Sequence, residues 1–177
     1  MNKRALIIGF IYCLTVIGFK LFILLGGYTL SRFGFNYSNI VSILIIIPFF
    51  IIAIKQVRDK EKGGVIAGKE AVRIALTVLA VATVIVSIYN YIEFNWKFKE
   101  IAIQYYNSDA YLQILKDWQV KMPDKIKTAD FPKIVLEQVS ALSAGKATTG
   151  KLFPLLLVGL SGAFVSAVFM KRSTPKL

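Results

Sequence analysis

The chain has 177 residues, 56% of them hydrophobic and 18% charged, with a net charge of +12 and a mean hydropathy of +0.62. A soluble domain is about 45–50% apolar; here the excess sits in four nearly uncharged runs of roughly 18–26 residues, each about long enough to cross a hydrocarbon core. The basic residues are split among separate loops rather than gathered in one patch, which excludes a nucleic-acid interface and points to anionic lipid headgroups as the partner.

Lys3 and Arg4 open the chain, and an apolar run follows over residues 5–30. It is too long for a signal peptide and no A-x-A-like site ends it, so it predicts a retained transmembrane helix. Lys20 interrupts it. Residues 31–38, SRFGFNYS, read as a turn whose aromatics suit a membrane interface. Asn36-Tyr37-Ser38 matches a glycosylation acceptor, a three-residue pattern that often arises by chance. A second span over 39–54 carries Pro48, which removes a backbone bond and predicts a kink. Residues 55–73 form a charged loop turned by Gly63-Gly64. Its basic residues are Lys55, Arg58, Lys60, Lys62, Lys69 and Arg73, against Asp59, Glu61 and Glu70.

The third span, 74–96, ends in YNYIEFNW, the composition of an aromatic belt. Residues 97–151 are polar, with two amphipathic helices. The first, over 109–121, sets Tyr111, Leu112, Ile114, Leu115 and Trp118 on one side and stops at Met122-Pro123. The second starts at Asp130 with Pro132 in its first turn, runs to Gly145, and presents Phe131, Ile134, Val135, Val139 and Leu142. The fourth span, 152–170, closes on Lys171-Arg172 and a short basic tail. The expectation is an all-α membrane protein over 1–177: four transmembrane helices in a single polytopic domain, with an extracytoplasmic helical insert between the third and fourth.

Charge sets the expected orientation. With the N-terminus inside, the cytoplasmic pieces hold eleven basic residues: Lys3, Arg4, the six loop residues, Lys171, Arg172 and Lys176. The short outer turn holds Arg32 alone. Nine lysines lie outside in the insert, but a segment of that length is near the size at which the positive-inside rule stops counting. Both termini are therefore expected in the cytoplasm.

The run Ile54-Lys55-Gln56-Val57-Arg58-Asp59 followed by Gly63-Gly64, taken with Val158-Gly159-Leu160, Ser166-Ala167 and Lys171-Arg172, resembles a family of bacterial four-helix membrane proteins classed only as a domain of unknown function. The similarity covers nearly the whole chain, including the helical insert before the last span. Members usually carry a proline just before V-G-L, whereas Pro154 here stands four residues ahead of Val158. The resemblance implies a bacterial inner-membrane protein and brings no activity with it.

Gly63 through Gly68-Lys69 matches the start of a P-loop, but the magnesium-binding Ser/Thr position is Glu70, which repels phosphate, and a membrane helix replaces the required strand. With no histidine there is no Ser-His-Asp or Cys-His nucleophile and no histidine-ligated metal site. The single cysteine, Cys13, rules out a cysteine cluster and an intrachain disulfide. No cofactor is implied. Two ionisable residues interrupt the spans, Lys20 about 24 Å beyond Arg4 and Glu93 about 30 Å beyond Arg73 at helical rise. They could pair across the bundle or snorkel to the headgroups, and Asn90, Asn95 and Trp96 favour snorkelling for Glu93. Gly159, Ala163 and Ala167 form a small-residue ridge for close helix approach, within the chain or in a homo-oligomer or complex. These features predict a non-enzymatic scaffold, assembly or accessory subunit of a membrane complex. The alternative is a small oligomeric transporter or channel using Lys20 and Glu93.

Overall fold

The computed structural model describes residues 2–31, 33–123 and 125–171. Arg32, Arg172, Lys176 and the side chain of Asn36 lie outside the described residues. Every regular element among those described is helical, and four helices are long and apolar enough to cross a membrane: Lys3–Leu25, Ser38–Glu61, Gly68–Tyr106 and Ala144–Met170.

Helix α1 (Lys3–Leu25) is capped by Asn2, whose side chain accepts from the backbone N–H groups of Arg4 and Ala5. It stops five residues short of the expected residue 30. Gly27 takes φ +73, a left-handed conformation natural to glycine, and Tyr28–Leu30 continues as a 3-10 turn. The expected turn over 31–38 is largely helical too: Phe33–Tyr37 is a π-helical turn leading into α2 (Ser38–Leu44). The second span is interrupted at Ile45 and resumes as α3 (Ile46–Glu61). Pro48 accounts for the break, since its missing N–H and its ring both act on the carbonyl four residues back, at Leu44.

Lys55 to Lys60 belong to α3 rather than to a loop. Charge alone does not end a helix, and Ile54 and Val57 continue its buried face. The true turn is residues 62–67, where Gly63 (φ +59) and Gly64 (φ +88) reverse the chain. Helix α4 (Gly68–Glu93) then passes through a π-helical turn, Phe94–Phe98, into α5 (Lys99–Tyr106), making one rod of 39 residues. Polarity rises beyond Trp96 without any residue that breaks a helix, so the third span has no end there.

Helix α6 (Asp109–Lys121) has the expected bounds, with Ser108 capping its start. Thr128–Asp130 forms a 3-10 turn into α7 (Phe131–Ser140), which ends before the expected Gly145. Gly145 instead lies in the first turn of α8 (Ala144–Met170), capped by Ser143 and starting well before residue 152.

Helix α4 is central and packs on α1, α3 and α8. In lipid, close packing rather than exclusion of water holds helices together. Small residues accordingly stand where backbones approach. A Cβ at Gly159 of α8 would collide with a Leu79 methyl of α4, and one at Gly162 would press on Ile47 of α3. Ala163 and Ala167 are fully buried in the same core, so the small-residue ridge is consumed inside the chain and not offered to a second copy.

The two ends of the bundle differ. At one end Arg4 pairs with Glu61 (2.8 Å), Lys62 with Glu70 (2.8 Å), and buried Arg58 bonds Asp59 (2.7 Å) while reaching the Met170 carbonyl at the end of α8. At the other, α5, α6 and α7 enclose a second core of Tyr105, Tyr111, Leu115 and Phe131. Phe35, expected at a membrane interface, stacks instead on Tyr105 at 3.8 Å and so ties the first turn into the insert.

Candidate functional site

The polar groups of the bundle gather beneath the insert. On α1 the inward stripe runs Tyr12, Val16, Lys20, so helical spacing alone carries Lys20 inside, where it is 7% exposed. On α4 the stripe Ala82, Val86, Asn90, Glu93 does the same for Asn90 and Glu93. Helix α2 contributes Asn39, and the early start of α8 brings in Lys151.

Lys20 Nζ donates to Asn39 Oδ1 and Asn90 Oδ1, both at 3.0 Å. Glu93 accepts from Tyr89 Oη at 2.9 Å and from Lys151 Nζ at 3.5 Å. The Lys151 ammonium also sits 4.3 Å from the centroid of the Phe98 ring. Below, Tyr12 donates to the Ser42 carbonyl at 3.0 Å, and Val16, Val86 and Leu155 close the apolar core. Two cavities of about 20 Å³ flank the Lys20 ammonium. Each has room for roughly one water or one small ion.

The structure thus brings Lys20 and Glu93 into one cluster but gives them different partners: Glu93 meets Lys151, and Lys20 meets two amides. Snorkelling is overturned for Glu93, which is 6% exposed and turned into the bundle. Asn39, Tyr89 and Lys151 were not expected here. Asn90 was legible from its position four residues after Val86. Lys151 carried no signal, because it falls where the span was expected to begin.

A second feature lies in the insert. Tyr106, Leu112, Phe131, Val135, Leu136 and Val139 line an open apolar groove of about 410 Å³. Leu136 on its edge, outside the apolar face read from the sequence, is 68% exposed.

Of the six basic residues read as an anchor, Lys55, Lys60, Lys62, Lys69 and Arg73 are exposed around one end of the bundle, and Arg58 is buried as a clamp on α8. Glu70, in the would-be phosphate position, bonds Lys62 and holds that ammonium above its usual range, first through the hydrogen bond and then through its charge. The gly-rich stretch is a turn between helices.

Four spanning-length apolar helices and a helical insert before the last are the build of a multi-pass helical membrane protein. The chain belongs to the family described as "Protein of unknown function (DUF4199)", whose model matches residues 3–172. No curated protein and no solved structure matches it. Of the residues quoted for the resemblance, Arg58 of α3 reaches the Met170 carbonyl at the end of α8, Gly63-Gly64 make the turn, and Gly159 packs against Leu79.

Proposed function

We propose that this protein is a non-enzymatic accessory or scaffold subunit of a bacterial inner membrane, with both termini cytoplasmic and the insert (residues 97–151) outside. Its docking face is the insert groove, and the occupant is an amphipathic helix of a membrane-protein partner. The observation that carries this reading is the open groove itself: the bundle's small-residue ridge is already used within the chain, whereas α7 leaves Leu136 and the groove uncovered. A groove of this kind suits the apolar anchors of a helix. The insert holds nine lysines against six acids, Glu100, Asp109, Asp117, Asp124, Asp130 and Glu137, which favours a helix with acidic flanks. The exposed basic ring at the opposite end supports the orientation. The transporter alternative would draw on Lys20 and Glu93, but packed apolar residues below the cluster favour a static role.

A cysteine placed at Val139 tests both parts in intact cells, using a membrane-impermeant crosslinker applied from outside. The expected result is a discrete heteromeric adduct. No reaction from outside would overturn the orientation, and reaction with recovery of monomers or lipid adducts only would overturn the docking role.

A further inference from the structure

The polar cluster under the insert is rich in donors and short of acceptors. Both Asn39 and Asn90 Oδ1 atoms already accept from Lys20, and the two Glu93 oxygens are engaged by Tyr89 and Lys151. An ammonium has three N–H bonds and an amide two. Lys20 uses two, Lys151 uses one and rests on Phe98, and neither asparagine Nδ2 donates to another described group. Charge is unbalanced in the same sense. Two lysine side chains, on α1 and α8, line one cavity with a single carboxylate, on α4. The other titratable groups about them among the described residues are two phenols: Tyr89, which donates to Glu93, and Tyr12, which lines the same cavity as the lysines.

An uncompensated buried charge is strongly destabilising. Water in the flanking cavities would satisfy donors but offset no charge. A space of about 20 Å³ admits a monatomic ion and not a phosphate or a carboxylate-bearing molecule. We propose that the cavity lined by Lys20, Asn39, Asn90 and Lys151, which Glu93 does not line, binds one small monovalent anion of the halide type, held by the two ammonium groups and the amide N–H groups of Asn39 and Asn90. The anion bridges α1, α2, α4 and the outer turns of α8, and so braces the insert's root on the bundle. This does not depend on what docks in the insert groove.

The full-length protein in detergent, exchanged into sodium gluconate, is titrated with sodium chloride at constant ionic strength while thermal unfolding is followed. The midpoint should rise saturably with chloride and with bromide. Asn90→Ala should weaken the apparent affinity at least tenfold, and Lys20→Met should abolish the response. Crystals grown in bromide should show an anomalous peak between the two ammonium groups. Equal midpoints in chloride and gluconate, an unchanged response in both variants, or no bromide peak would each overturn the proposal. Equal midpoints are also the outcome if a lysine simply sheds its proton to balance the charge. Should Lys20→Met fail to fold, the unsubstituted protein and the bromide peak still decide.

Discussion

Glu93 stands against buried Lys20 and half-buried Lys151, and charge explains why its loss should matter more than that of any surface pair. Glu93→Gln keeps the shape and an acceptor for Tyr89 but takes from Lys151 and Lys20 the one carboxylate beside them among the described residues. Removing one partner of a buried pair costs about 3–5 kcal/mol. The Arg4–Glu61 pair, with both side chains partly solvated, is worth about 0–1 kcal/mol. Thermal unfolding in detergent should therefore show a large drop for Glu93→Gln and little change for Glu61→Gln. Adding Lys151→Met to the first variant should recover part of the loss, because the excess charge falls. A Glu93→Gln protein as stable as its parent would remove the electrostatic account of the cluster.

Among the elements, α8 shows how one residue type serves opposite ends. Gly150 has open space where a Cβ would be, whereas a Cβ at Gly159 meets a Leu79 methyl. Glycine costs about 1 kcal/mol relative to alanine inside a helix, and overpacking a filled interface costs about 1–3 kcal/mol. Gly150→Ala should accordingly stabilise the protein slightly, and Gly159→Leu should destabilise it, as read by unfolding midpoints of the two variants side by side. The reverse order would mean that α8 does not pack on α4 through this face. The ridge of Gly159, Ala163 and Ala167 was visible in the sequence as a pattern; that its partner is α4 was not, because small residues state only that something comes close.

For the molecule as a whole, the joint between bundle and insert rests on Phe35, which reaches from the turn before α2 into the aromatic core of α5 and α6. Truncating a fully buried phenylalanine costs about 3–5 kcal/mol, and half-buried Phe35 should cost part of that. Phe35→Ala should loosen the insert while sparing the four long helices. Limited trypsin digestion would then cut at Lys116, Lys121 or Lys125 sooner than in the parent, with the helical circular dichroism of the bundle largely kept. An unchanged digestion pattern would show that the insert holds its place without that contact.

Span count, the bounds of α6 and the Gly63-Gly64 reversal could all be read from the chain alone. Run length, apolar spacing and glycine's access to positive φ are properties of contiguous residues. The ends of α1, α7 and α8 were displaced by several residues, since polarity marks where a membrane stops and not where a helix stops. Whether Glu93 faces out or in, which lysine it meets, and where Phe35 goes were decided only by tertiary packing. Lys20, Asn39, Asn90, Glu93 and Lys151 come from four helices, and their meeting depends on how those helices are rotated and offset against one another. That rotation is fixed jointly by all the interfaces, so no single stretch of the chain encodes it.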